Sequence, residues 1–127
     1  MVKKKVLIID DEVDFTEILK LNLELTGKYE IKIENNSSHG LETAKKFKPD
    51  VILLDILMPH INGYKVLDLL KKDEDTISIP VIMLSAITTE EAKVISAGLY
   101  DESFIEKPIS VKILEEKLDK VLGRFEK

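Results

Sequence analysis

The sequence predicts a doubly wound α/β domain, with a parallel five-stranded sheet of order 2-1-3-4-5 between two layers of helices. Three observations predict it. Two short runs, Val6 to Ile9 and Val51 to Leu54, are wholly apolar, as strands buried on both faces are. Tyr29 to Glu34 alternates apolar with polar residues, which marks a strand with one wet face. Strand-like runs also alternate with segments of helical period, and crossovers of that length pair strands in parallel. The wholly apolar strands belong at the centre and the alternating one at an edge. That arrangement opens a crevice between the carboxyl ends of strands one and three.

The elements follow in order. After the first strand come Asp10, Asp11 and Glu12. Asp14 is placed to cap the first helix, with Glu17 three residues on as in a capping box. Phe15, Ile18, Leu19 and Leu25 form that helix's apolar face, with Asn22 on the same stripe. Gly27 suits the helix end. Asn35 to Ser38 reads as loop, and Ser38 to Phe47 as a helix burying Leu41, Ala44 and Phe47. Lys48, Pro49 and Asp50 break it before the third strand, Val51 to Asp55. Pro59 and Asn62-Gly63 mark a loop, and Tyr64 to Lys72 a short helix with Val66, Leu67, Leu69 and Leu70. Residues 73–79 read as polar loop, and Val81 to Leu84 as the fourth strand, running into Ser85-Ala86. Thr88 or Thr89 starts a fourth helix that runs through Ala97 and stops at Gly98. Phe104-Ile105 is a short fifth strand, followed by Glu106, Lys107 and Pro108. Ser110 caps a last helix with Ile113, Leu114, Leu118, Val121 and Leu122 inward.

Length and composition bound the function. The 127 residues suit one domain, over 1–127, large enough to bury roughly two-thirds of its unfolded surface. There is no cysteine, hence no disulfide and no thiolate metal site. Acidic residues outnumber basic ones, 24 to 19, which argues against a nucleic-acid face. No apolar run reaches the length of a membrane span, and the N-terminal apolar stretch is too short for a signal peptide. The expected protein is soluble and cytoplasmic, without direct nucleic-acid or membrane binding.

The carboxyl ends of four strands then present Asp10 and Asp11, Asp55, Ser85 and Lys107. A carboxylate pair about 4 Å apart costs on the order of 4 kcal/mol at an effective dielectric near 20. Such a cluster holds a cation or carries shifted pKa values. Oxygen ligands without His or Cys favour Mg²⁺, or a similar hard ion such as Mn²⁺. A cation, an ammonium and a hydroxyl together suit an anion with several oxygens, and phosphoryl is the obvious candidate. Asp55 is then a cation ligand alone or also a nucleophile.

Asp10-Asp11, Asp55, Met58-Pro59, Asn62-Gly63, Ser85-Ala86 and Lys107-Pro108, in this order and spacing, resemble the receiver domain of bacterial two-component response regulators, including the chemotaxis response regulator. The resemblance covers nearly the whole chain and implies a flavodoxin-like (βα)5 three-layer sandwich. It implies that Asp55 accepts a phosphoryl group from a sensor histidine kinase or phosphotransfer protein. Asp11, Asp55 and the backbone carbonyl of Leu57 would bind Mg²⁺, with Asp10 assisting. Ser85 and Lys107 would hold phosphoryl oxygens, and the Lys107-Pro108 bond would be cis. Phe104 falls at the family's aromatic switch position, with output through the fourth helix, fifth strand and fifth helix. Leu57 and Ile87 are apolar where the family's residues flank the hydrolytic water, which implies a long-lived phosphoryl group. Gly98 to Phe104 departs from the family spacing and brings Tyr100 toward the switch surface. His39 and His60 read as exposed loop residues. Such a domain is a monomer or a weak phosphorylation-dependent dimer, and it is not a turnover enzyme. The competing reading is a pseudo-receiver, the same fold used as a constitutive protein-interaction module, and the intact acid triad with Ser85 and Lys107 counts against it.

Overall fold

A computed structural model of the chain describes residues 2–85 and 103–123; of Ser85, Ser103, Phe104 and Glu106 it describes the backbone alone. The predicted helix over 88–97, its stop at Gly98, and Ile87 and Tyr100 lie outside the described residues.

Five parallel strands, β1 (Lys4–Ile9), β2 (Tyr29–Glu34), β3 (Val51–Asp55), β4 (Val81–Ser85) and β5 (Ser103–Glu106), form one sheet. Its order is β2-β1-β3-β4-β5, as the sequence predicts. Strand alternation sends successive side chains to opposite faces. Val6, Ile8, Val51, Leu53, Ile82 and Leu84 pack under α1 (Val13–Leu25) and the C-terminal helix (Val111–Gly123). Leu7, Ile9, Ile52, Leu54, Val81 and Met83 pack under α2 (Gly40–Phe47) and α3 (Gly63–Lys72). Each fully buried aliphatic side chain contributes about 1.5–3 kcal/mol, so the two apolar layers supply most of the driving force for the fold. On the edge strand β2, Tyr29 and Ile31 are buried while Glu30 and Lys32 face water.

The structure corrects several local expectations. α1 begins at Val13, and its N-cap is Glu12, whose carbonyl accepts from the Thr16 amide at 3.0 Å. Asp14 therefore sits in the first turn, where its charge suits the helix dipole but caps nothing. The buried stripe is Thr16, Leu19 and Leu23, with Phe15 at its margin, whereas Ile18 and Leu25 are 61% and 75% exposed. At about 100° per residue, Ile18 and Leu25 lie well off that stripe. A threonine can occupy its centre because its hydroxyl is satisfied: it donates to the Val13 carbonyl at 2.9 Å and accepts from Asn35 Nδ2 at 3.1 Å.

The predicted helix at Ser38 starts instead as a single 3-10 turn, Ser37–His39, capped by Asn36, before α2 proper begins. α3 starts at Gly63, with Asn62 Oδ1 accepting from the Lys65 amide at 3.0 Å. Within the polar segment 73–79, Thr76 is buried and donates to the Leu70 carbonyl at 2.6 Å. In the C-terminal helix Leu114, Leu118, Val121 and Leu122 are buried, but Ile113 is 52% exposed. It lies about 100° of helical rotation from Leu114, at the edge of the stripe. Gly27 ends α1 at φ +78°, a left-handed conformation open to glycine at no steric cost. Among the described residues, no helix is long and apolar enough to cross a membrane.

Candidate functional site: an acidic crevice closed by a lysine

Strand register assembles the site. Ile9 pairs with Leu54, so Asp10 and Asp55 emerge side by side where β1 and β3 end. Asp55 pairs with Leu84 and Ser85 pairs with Glu106, which brings the backbone of Ser85 and the start of the Lys107 turn to the same edge. The Phe104 backbone pairs with Met83 one layer below. The side chains of Ser85 and Phe104, and with them their expected roles, lie outside the described residues.

Asp10 is fully buried and Asp55 is 3% exposed, while Asp11 is half-buried. One carboxylate oxygen from each lies within 4.8 Å of the others. The Lys107 ammonium enters this cluster. It stands 2.9 Å from Asp10 Oδ2, 2.6 Å from Glu12 Oε1 and 3.4 Å from Asp55 Oδ1. It also lies 4.6 Å from the centre of the Phe15 ring, within cation–π reach. The Lys107-Pro108 bond is cis.

The loop after β3 is folded tightly over the strand end. The Gly63 amide donates to the Ile56 carbonyl at 2.8 Å, and a Cβ at Gly63 would overlap the Asp55 carbonyl oxygen. No side chain fits there, so the Asn62-Gly63 pair joins a helix cap to a close backbone approach. Leu57 is 58% exposed on this loop. His39 and His60 are exposed, and His60 adopts φ 73°.

The electrostatics follow from burial. Desolvation raises the Asp55 pKa to about 7, the neighbouring Asp10 charge adds to the rise, and Lys107 opposes it. Asp10 is also raised by burial, although the Glu12 amide and Lys107 pull it back. Burial works against the Lys107 charge, yet its bonds to Glu12 and Asp10 hold its pKa above that of an ordinary lysine. Two raised carboxyls beside a single ammonium are a site in want of further positive charge. The donors are all oxygen and sit close together, so the residues present fit a hard divalent cation such as Mg²⁺.

Four sequence-predicted residues thus meet: Asp10, Asp11, Asp55 and Lys107. Two contacts were not predicted. Glu12, read as one more acid after β1, is the shortest partner of Lys107, and Phe15, read as core, is also its aromatic neighbour. Neither leaves a local signal, because the partners are separated by more than ninety positions along the chain.

A parallel sheet of this order, with an acid triad and a lysine at its carboxyl edge, defines a doubly wound domain whose residues at that edge could hold a cation. The chain belongs to the response regulator receiver domain family, whose model matches residues 6–119. It is 37% identical over 124 residues to the phosphate regulon transcriptional regulatory protein PhoB of Pseudomonas aeruginosa, covering 98% of this chain and 54% of that protein. It is 29% identical over 123 residues to the DNA-binding dual master transcriptional regulator RpaA of Synechocystis, covering 97% and 51%. The chain spans about half the length of these curated relatives. Among solved structures, a CheY-like response regulator receiver domain protein from Methanospirillum hungatei superposes with TM-score 0.87 at 27% identity, covering 98% of both chains. The chemotaxis protein CheY4 of Vibrio cholerae gives 0.86 at 25% identity, covering 94% of this chain and 99% of that one. Membership places the chain in phosphorylation-dependent two-component signalling, among the receiver domains of regulators rather than conventional enzymes. Such domains take part with histidine kinases or phosphotransfer proteins and generally bind Mg²⁺ at an acidic Asp cluster.

Proposed function

We propose that this domain is a phosphorylation-controlled signalling switch in which Asp55 is the phosphoacceptor. The observation that carries the proposal is Asp55 itself: a buried carboxyl raised to about 7, between two other carboxyls and an ammonium at 3.4 Å. A carboxylate oxygen of Asp55 attacks phosphorus, its O–P bond forms as the donor's bond to phosphorus breaks, and the donor's histidine nitrogen or acetate leaves with that bond's electron pair. Asp10, Asp11, Asp55 and the Leu57 carbonyl would hold Mg²⁺, which supplies charge neutralisation at the phosphoryl oxygens. Lys107 pairs with one phosphoryl oxygen and the Ser85 hydroxyl donates to another.

The phosphoryl group brings about −1.5 to −2 of charge and strong acceptors. Lys107 and Ser85 bond it in one arrangement of their loops and not in the other, so phosphorylation favours that arrangement. Two charge-assisted bonds of about 1.5–3 kcal/mol each approach the roughly 5.5 kcal/mol that reverses a 1:99 equilibrium. The output surface includes β5 and the C-terminal helix. The donor is a sensor histidine kinase or phosphotransfer protein in the cytoplasm. Apolar Leu57 and Ile87 give the hydrolytic water no polar partner, so the phosphoryl group is long-lived.

Intact-protein mass spectrometry after incubation with Mg²⁺ and acetyl phosphate tests this reading. The expected result is one phosphoryl adduct, absent without Mg²⁺ and absent in Asp55→Asn. No adduct, together with no thermal stabilisation by Mg²⁺, overturns the proposal in favour of a constitutive protein-interaction module.

A further inference from the structure

The loop between β2 and α2 contributes no group to the acidic site, yet it is bonded to both loops that carry the site's ligands. Asn35 Nδ2 donates to the backbone carbonyl of Asp10 at 2.7 Å and to Thr16 Oγ1 at 3.1 Å, which ties it to the turn bearing Asp10 and Asp11. Two residues on, Ser37 Oγ donates to the Pro59 carbonyl at 2.9 Å and accepts from the Ile61 amide at 3.3 Å, which ties it to the loop bearing Leu57. Ser37 is 3% exposed and Thr16 fully buried, so water cannot replace these bonds in place.

The loop between them is itself held. Glu34 Oε2 accepts from the Asn36 amide at 3.0 Å, and Glu34 Oε1 accepts from Thr43 Oγ1 at 2.6 Å. Asn36 Oδ1 accepts from the Ser38 amide at 2.9 Å. Gly40 then passes so close to Ile9 and Val66 that an added Cβ would lie 3.3 and 3.1 Å from their side chains. The segment is a braced strut anchored to β1 and α3.

We infer that Asn35 and Ser37 are positioning residues for the cation site, setting the separation between the Asp10-Asp11 turn and the Leu57 loop. The inference rests on the Mg²⁺ reading above and extends it to a loop outside the ligand set. Small hard cations demand close to ideal octahedral geometry, so a strut that fixes ligand spacing contributes directly to affinity. Partners that orient ligands without touching the metal typically cost about 10–100-fold in metal affinity when removed.

The test is calorimetric titration of MgCl2 into the full chain and into Asn35→Ala, Ser37→Ala, Ser37→Thr and Ser38→Ala, well below each variant's melting temperature. Melting curves without Mg²⁺ are recorded alongside. The expected result is a dissociation constant about tenfold weaker for Asn35→Ala and for Ser37→Ala. Ser37→Thr, which keeps the hydroxyl, should lie nearer the native value, and Ser38→Ala should match it. Variants that melt earlier but bind Mg²⁺ as the native chain does would reduce the loop to a structural role and overturn the inference. If Asn35→Ala does not fold, Ser37→Ala decides, since it touches the other ligand loop alone. A native chain that binds no Mg²⁺ sinks the metal reading itself, whereas native binding with unchanged variants sinks the strut alone.

Discussion

Asp10 and Asp55 end adjacent strands and are almost equally buried, yet they are differently provided for. Asp10 accepts from the Glu12 amide at 3.0 Å and from Lys107 at 2.9 Å. Asp55 has Lys107 farther off, at 3.4 Å, and burial together with the Asp10 charge raises it to about 7. The difference lies in local chain geometry. The turn after β1 folds the Glu12 amide back onto the Asp10 carboxyl, whereas in the loop after β3 the Gly63 amide turns onto the Ile56 carbonyl. Asp10 is thereby already paired twice. Asp55, farther from the ammonium and raised by burial, gains more from added positive charge.

The largest expected effect concerns stability against pH. Asp55 titrates near 7 when folded and near 3.9 when unfolded, so between those values the native state holds more protons. Stability without divalent cation should therefore fall as pH rises from about 4 to about 7, by up to roughly 4 kcal/mol. The raised Asp10 adds to the same trend. Urea melts in EDTA should show that slope in the native chain and a much shallower one in Asp55→Asn. Parallel profiles would mean the two acids do not differ in this way.

Next comes Lys107, shared by both acids. Lys107→Ala should slow phosphorylation by acetyl phosphate about 10–100-fold, the equivalent of one charge-assisted bond of about 1.5–3 kcal/mol. Initial rates of adduct formation by mass spectrometry give the answer, and an unchanged rate would remove Lys107 from the reaction. The smallest effect belongs to Glu12, which is 58% exposed and draws Lys107 toward Asp10 rather than Asp55. An exposed partner is worth up to about 1 kcal/mol, so Glu12→Gln should raise the same initial rate by at most about fivefold. A decrease would show that Glu12 positions Lys107 for the reaction instead of holding it back.

The acids and Lys107 were legible because of where they sit. A carboxylate at the end of an apolar run has no reason to be there unless something at that edge uses it. The strand order was legible because Val51 to Leu54 has no polar alternation and Tyr29 to Glu34 does. The phase of α1 was not, because hydrophobicity ranks Ile18 and Leu25 above Thr16. The partner that makes Thr16 acceptable in the core, Asn35, stands nineteen positions away. The cap at Glu12 was missed for a related reason, since the Asp10 carboxyl already takes the Glu12 amide and shapes the turn from outside the helix.

By itself, then, the sequence determined the set of strands, their order and the chemical character of the groups at their ends, because periodicity and residue type are local properties of the chain. Tertiary structure alone decided how Lys107 is divided among Asp10, Glu12 and Asp55, why Asp55 rather than Asp10 is raised so far, and that Asn35 and Ser37 brace the two ligand loops. Desolvation and pairing depend on distances in space, and those are set when residues far apart in the chain pack against one sheet.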